Sequence, residues 1–145
     1  MLFKSKFRSE IYDLYVNFDG SCWPNPGGPA GWAFIIKNNR HETVLASSGV
    51  IPAGRTSNNV AEYVAARMAL EAIREIASDG WRVLLRGDSQ IVIGKLKHPG
   101  RVSKGLCRDD CIKAQKAYMK ASEHGIKVNL KWVPREQNTE ADSLT

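Results

Sequence analysis

Four carboxylates stand apart from the other acidic residues of the chain: Asp19, Glu62, Asp88 and Asp142. Glu71, Glu75, Asp109, Asp110 and Glu123 fall where the exposed face of a helix would put them. Asp19, by contrast, closes an alternating stretch just before Gly20, and Asp88 follows Gly87 at the end of a short apolar run. Glu62 is set between Val60-Ala61 and Tyr63-Val64, and Asp142 follows Ala141 near the last residue, Thr145. Each alone has an ordinary explanation: an Asx-turn for Asp19, a helix cap for Asp88, a capping arrangement with Ser57 or Asn58 for Glu62, a first-turn acid complementing a helix dipole for Asp142. Together they point to another chemistry. Clustered carboxylates repel unless a cation lies among them, and a Glu in an apolar stretch of helix is costly without compensating charge. One or two hard divalent ions bound through oxygen supply that charge, and Mg²⁺ in such sites keeps several waters. Cations in a carboxylate cage stabilise the negative charge that develops when a phosphodiester is attacked, without a Ser, Cys or His nucleophile.

The elements that must bring these acids together follow from periodicity. Asp13–Asp19 alternates as a strand, with Leu14, Val16 and Phe18 on one face and Tyr15, Asn17 and Asp19 on the other. A loop rich in Pro and Gly covers Gly20–Gly28, and two more strands are expected at Gly31–Lys37 and Thr43–Ile51, completing an antiparallel meander. From Asn58 to Asp79 the apolar positions recur at helical spacing, with Ser57 or Asn58 as the cap and Gly80 as the stop. Arg82–Gly87 reads as an interior strand, Gln90–Leu96 as a short helix, Cys107–Glu123 as a long helix and Lys127–Val133 as the last strand. Asn138–Leu144 begins like a helix and runs out at Thr145. The order β-β-β-α-β-α-α-β-α describes an α/β domain, a mixed sheet flanked by helices. Sites in open α/β sheets gather at the carboxyl ends of strands, so parallel placement of the first and fourth strands would join Asp19 to Asp88.

At 145 residues, with 43% hydrophobic and 25% charged residues, the chain fits one globular domain. No apolar run approaches the roughly 18–20 residues that span a bilayer, and residues 1–10 are basic without the apolar stretch of a secretory signal. The expectation is a cytoplasmic protein with a flexible basic tail at 1–10 and one folded domain at 11–145. Cys22, Cys107 and Cys111 show no C-x-x-C pair, and their spacing with His98 fits no usual zinc pattern, so they are expected as reduced thiols. The net charge of +6 favours a polyanionic partner, with nucleic acid the commonest.

Five short motifs carry a resemblance to a known family: FDGS at Phe18–Ser21, NPGG at Asn25–Gly28, SNNVAEY at Ser57–Tyr63, GDSQ at Gly87–Gln90 and WVPREQNTEAD at Trp132–Asp142. Each is weak alone; their order, spacing and placement make a specific combination. The sequence resembles type 1 ribonuclease H from about Tyr12 to Leu144, and the form of the last motif is closer to archaeal-like, plant-like and mobile-element branches than to the best-known bacterial branch. The resemblance implies a ribonuclease H-like fold, a five-stranded mixed sheet with the first three strands antiparallel and the fourth and fifth parallel to the first. It implies an endonuclease that cuts the RNA strand of RNA–DNA hybrids, leaving 5′-phosphate and 3′-hydroxyl ends. Asp19, Glu62, Asp88 and Asp142 match the family's catalytic, metal-binding carboxylates. By that match Asp19 would bridge two Mg²⁺ ions, with Mn²⁺ able to substitute. Asp142 would help hold the ion that activates water, and Glu62 and Asp88 the ion that stabilises the leaving oxygen, about 3.5–4 Å apart.

The same resemblance makes Asn25, Gly27, Asn58, Asn59, Ser89 and Gln90 the hybrid-contacting positions, with amides and hydroxyls suited to groove edges and 2′-hydroxyls. Asn25 and Asn58 equally suit turn and cap roles. Lys95, Lys97, His98, Arg101 and Lys104 form a basic cluster that serves either as DNA-strand phosphate contacts or as a solvated loop. The chain departs from many family members in three ways. Residues 91–106 are too short for the long basic protrusion. The loop before Asp142 has Arg135, Glu136, Gln137 and Asn138 where many members carry a His. Only three residues follow Asp142, so the last helix is truncated. The enzyme is expected to be a monomer with no obligate protein partner and no membrane association. Rival readings are a non-catalytic or weakly active nucleic-acid-binding relative, from which degeneration would have removed a carboxylate, and a 3′–5′ exonuclease of similar fold, which wants Asp-x-Glu where this chain has Asp19 and Ser21. The nuclease domain of a reverse transcriptase is a further alternative, against which Met1 weighs.

Overall fold

The computed structural model describes residues 11–145, so the expected flexible tail at 1–10 lies outside the described residues. The sheet has five strands, β1 (Leu14–Cys22), β2 (Ala30–Asn38), β3 (Thr43–Ile51), β4 (Arg82–Gly87) and β5 (Lys127–Trp132), with apolar residues alternating most clearly in the first half of β1 and in β4. They lie in the order β3-β2-β1-β4-β5. β1 pairs antiparallel with β2 from Leu14–Asn38 to Cys22–Ala30, and β2 pairs antiparallel with β3. β4 joins β1 in parallel from Leu14–Val83 to Asn17–Arg86, and β5 joins β4 in parallel. This is the mixed sheet that the resemblance implied.

Three helices cover one face of the sheet: α1 (Asn58–Ile76), α2 (Gln90–Lys97) and α3 (Arg108–Glu123), the last entered through a 3₁₀ turn at Gly105–Cys107. A four-residue helix α4 (Thr139–Asp142) follows a second 3₁₀ turn at Arg135–Gln137. Val16, Phe18, Ile36, Val83 and Leu85 from the sheet pack against Tyr63, Leu70 and Ile73 of α1 and Leu96 of α2, all buried, and their removal from water supplies the main driving force for folding. The polar groups of Tyr63, Ser103 and Gln115 are buried with this core and are bonded. The Tyr63 hydroxyl meets Ser103 Oγ at 2.5 Å, and Gln115 Nε2 donates to the carbonyls of Lys95 and Arg101, fixing the loop after α2. All three cysteines are free and buried.

Most boundaries differ from the sequence reading by a few residues at most, and three of the differences are informative. β1 does not end at Asp19 but runs on to Cys22, because β2 keeps pairing with it after β4 has parted from it. α1 ends at Ile76, not Asp79. The Ala77 N–H closes it on Ile73, and the chain then needs Ser78–Gly80 to turn into β4, with the Gly80 N–H donating to the Gly125 carbonyl. Cys107 belongs to the 3₁₀ turn rather than to α3.

One glycine decides how β1 meets α1. A Cβ on Gly20 would lie 2.3 Å from the Ala61 carbonyl carbon and 2.5 Å from the Glu62 nitrogen, both backbone atoms of α1. Backbone cannot give way as a flexible side chain can, so any larger residue must push strand and helix apart. Gly20→Ala is therefore expected to cost about 1–3 kcal/mol of stability in urea unfolding, the range for overpacked cores; an unchanged midpoint would contradict the close contact.

Candidate active site

Asp19 lies just beyond the last parallel pair of β1 and β4, Asn17–Arg86, where the two strands diverge. Asp88 directly follows β4. The glycine before it has its own packing reason: a Cβ on Gly87 would lie 2.4 Å from the Phe18 ring, so only Gly lets that ring sit under the turn. Glu62 enters from α1, which starts at a Ser57 cap whose hydroxyl accepts the Val60 N–H at 3.1 Å and which Gly20 allows to press on β1. The outcome is one carboxylate oxygen each from Asp19, Glu62 and Asp88, all within 4.8 Å of one another. Asp19 is 4% exposed and Glu62 7%, while Asp88 is half-buried.

Packing three acids so closely perturbs them strongly. Burial, then a hydrogen bond with Asp142 and the charges of Asp88 and Asp142, push Asp19 up to about 7, against a lowering contribution from its hydrogen bond with Glu62. Burial, then the hydrogen bond and charge of Asp19, push Glu62 up to about 10. In the metal-free protein Glu62 thus keeps its proton and shares it with Asp19. Glu62 Oε2 nonetheless has no hydrogen-bond partner although it is buried. A buried, unpaired carboxylate oxygen among other carboxylates is a donor set that fits a hard divalent cation.

The fourth acid reaches the same place by another route. Asp142 shares a hydrogen bond with Asp19 and lines a cleft of about 300 Å³ with Asp19, Glu62, Asp88 and Arg135. Its helix is too short to hold it by apolar packing; a buried Asn does so instead. Asn138 Nδ2 donates to the Phe18 carbonyl at 2.8 Å, and its Oδ1 accepts from Asn17 Nδ2 at 2.8 Å. The Asp142 N–H in turn donates to the Asn138 carbonyl at 3.0 Å. Asn138 was legible only as part of the last motif. Its anchoring role was not read from the sequence, because its partners lie 121 and 120 residues away.

Of the expected substrate contacts, Asn58, Asn59 and Ser89 line the cleft. Asn25 and Gly27 stand on the neighbouring loop, where Asn25 Oδ1 accepts the Asn58 N–H at 2.9 Å, Asn58 Oδ1 accepts the Cys22 N–H at 2.8 Å, and the Gly27 N–H donates to Thr56. Gln90 is exposed at the start of α2, beside the cleft rather than in its lining. Lys97, Arg101 and Lys104 are exposed and Lys95 is half-buried; none lines the cleft. Arg135, which occupies the loop where a His was missed, is the one cation among the cleft's lining residues.

A family model described as "Reverse transcriptase-like" matches residues 17–145. The bifunctional protein Rv2228c of Mycobacterium tuberculosis is 33% identical over 137 residues, 90% of this chain and 34% of that relative. The solved N-terminal RNase H domain of Rv2228c, a fusion with maltose binding protein, aligns with a TM-score of 0.77 at 27% identity, covering 92% of this chain and 91% of that one. A ribonuclease H of Xanthomonas campestris pv. campestris is 39% identical over 94 residues, 63% of this chain and 57% of the relative. LC11-RNase H1, isolated from compost by a metagenomic approach and solved in complex with RNA/DNA hybrid, aligns with a TM-score of 0.77 at 27% identity, covering 90% and 92% of the two chains. The chain spans about a third of the length of the mycobacterial relative.

Two outcomes follow from this geometry. A carboxyl whose folded pKa lies above its unfolded value near 4 contributes most stability below that value and loses it as pH rises, up to about 7 for Asp19 and about 10 for Glu62. Metal-free protein should therefore weaken from pH 5 to pH 9, and Glu62→Gln should stabilise it at pH 8 in EDTA by something on the order of 2 kcal/mol. Thermal melts with and without Mg²⁺ check this, since added Mg²⁺ should raise the wild-type melting temperature and raise that of the variant less. Asn138→Ala removes the partner of both the Phe18 carbonyl and the Asn17 amide and should cost about 1–3 kcal/mol in urea unfolding.

Proposed function

The chain belongs to the reverse transcriptase-like family and within it to the type 1 ribonucleases H, and from that membership we propose that it is an endonuclease hydrolysing the RNA strand of RNA–DNA hybrids. The observation that carries this reading is the convergence of Asp19, Glu62 and Asp88 within 4.8 Å, with a buried oxygen of Glu62 lacking any partner. Asp19, Glu62, Asp88 and Asp142 would hold two Mg²⁺ ions. When bound, such ions lower the pKa of water and neutralise charge on the attacked phosphate and the leaving oxygen, giving 5′-phosphate and 3′-hydroxyl ends.

The protein's own part is placement. Asp19 and Glu62 come preset on β1 and α1, so little reorganisation is required when the phosphate arrives. Arg135 offers a guanidinium to the scissile phosphate from the rim. Asn25 and Asn58 have their side-chain oxygens engaged by backbone N–H groups, which fixes the amides and leaves each NH₂ group to face a groove edge. With Gly27, Asn59, Ser89 and Gln90 they would distinguish 2′-hydroxyls on one strand from their absence on the other. Lys95 and Lys97 at the end of α2, with Arg101 and Lys104 on the loop after it that Gln115 pins, would meet phosphates of the DNA strand. Relatives named ribonuclease H, and a structural neighbour solved with an RNA/DNA hybrid, support this choice of substrate.

The test is cleavage of an end-labelled hybrid, with duplex RNA and duplex DNA as controls. Internal cuts confined to the RNA strand of the hybrid and abolished by EDTA are expected, with Asp19→Asn lowering kcat by about a hundredfold or more. Products shortened stepwise from a 3′ end would assign an exonuclease instead, and hybrid binding without cleavage would assign a non-catalytic relative.

A further inference from the structure

A second concentration of positive charge lies in a groove between α1 and α3. Arg67 and Arg74 of α1 face Lys113, Lys116 and Lys120 of α3 across about 310 Å³, with Glu71 as the acid among the lining residues. Five cations and one carboxylate leave +4 there, against +6 for the whole chain. Asp110, close to Arg67 and Lys113, offsets part of it from outside the groove. Arg74 and Lys120 sit in the last turns of their helices, where the helix dipole accounts for a cation. Arg67, Lys113 and Lys116 have no such reason. Arg67 spends Nη1 on Glu71 at 3.1 Å and buries Nε without an acceptor. Lys113, Lys116 and Lys120 recur at i, i+3 and i+7 and so share one face of α3 over about 10 Å.

We infer that this groove is a second nucleic-acid contact, one that holds a phosphate backbone independently of sequence and apart from the acid cleft. The inference rests on the reading above, that the chain binds nucleic acid. Arg67 lies five residues beyond Glu62 and therefore about 140° around α1, so the groove opens away from the carboxylates. Phosphate, rather than a protein partner, is favoured by what the groove lacks. Its apolar lining is Leu70, which is fully buried, and the half-buried Ala117, so it offers no exposed anchor of the kind protein interfaces rely on. No aromatic ring lines it among the described residues, which removes base stacking and leaves only charge.

The test is amide NMR mapping of the ¹⁵N-labelled chain, titrated in EDTA with a short RNA–DNA hybrid and compared with the triple variant Lys113→Gln, Lys116→Gln, Lys120→Gln. All three lysines are exposed, so the fold should be retained, and unchanged shifts elsewhere in the spectrum check it. Two sets of shifts are expected, one around the cleft and one over 67–74 and 113–120. The second set should saturate at its own concentration and be lost in the variant while the first persists. Its affinity should fall with salt, with a slope of about 2 to 3 if three phosphates are engaged. Shifts confined to the cleft and to residues 95–104 would overturn the inference, as would equal binding of a polyglutamate peptide in the groove. Groove shifts without cleft shifts would instead count against the nuclease reading and leave the groove standing.

Discussion

Backbone contact between Gly20 of β1 and Ala61–Glu62 of α1 is the constraint from which the candidate site follows. With no Cβ in the way, a helix turn rests directly on a strand, and the carboxylates of neighbouring residues on the two elements, Asp19 and Glu62, share one hydrogen-bonded space. Apolar residues on either side of both acids, Phe18 on the strand and Ala61 and Tyr63 on the helix, lock that approach by burial. The core therefore forces together groups that repel. The resulting strain is electrostatic, expressed in two carboxyls that hold protons well above the usual carboxylate range. A structure that keeps such an arrangement gives up stability in the metal-free state and regains it from whatever cation enters.

Much of this was legible in the sequence, and the parts that were not share a cause. Thr43–Ile51 and Arg82–Gly87 are strands over the same residues in the reading and in the structure, because a short run bounded by turn residues is a local signal. Asp19 and Asp88 were placed beside each other by assuming parallel pairing of the first and fourth strands, which the register bears out. The end of β1 was misread because Gly20 looks like a strand stop. Only the continuing partner, β2, keeps residues 20–22 extended. Asn138 and Gln115 are buried polar residues whose bonds go to segments distant in sequence, and a single sequence offers no local mark for that. The same holds for the lysines of α3, since nothing local in the sequence shows that α1 supplies Arg67 and Arg74 opposite them.

The amides beside the cleft show how a turn role leaves room for the proposed substrate role in one side chain. Asn25 and Asn58 looked equally suited to stabilising a loop and to contacting a ligand. Their oxygens close the loop onto the start of α1 and their NH₂ groups stay free to point outward. An amide so tethered loses little further conformational entropy on binding, which is what makes a loop position serviceable for recognition.

The four acids differ in how firmly they are held, and that difference has a mechanical origin. Asp19 and Glu62 sit on long elements whose apolar faces form the main core, so displacing either means opening that core. Asp142 sits on a four-residue helix with one buried side chain, Ala141, and depends on the polar links of Asn138 to Phe18 and Asn17. Asn17 in turn accepts from Arg86 at 3.1 Å, so the network reaches β4, with the small side chain of Ala141 as the apolar contribution of the helix. Hydrogen bonds exchange with water at small net cost, whereas buried apolar area does not. The segment carrying Asp142 is therefore expected to open at lower free energy than the elements that carry Asp19 and Glu62.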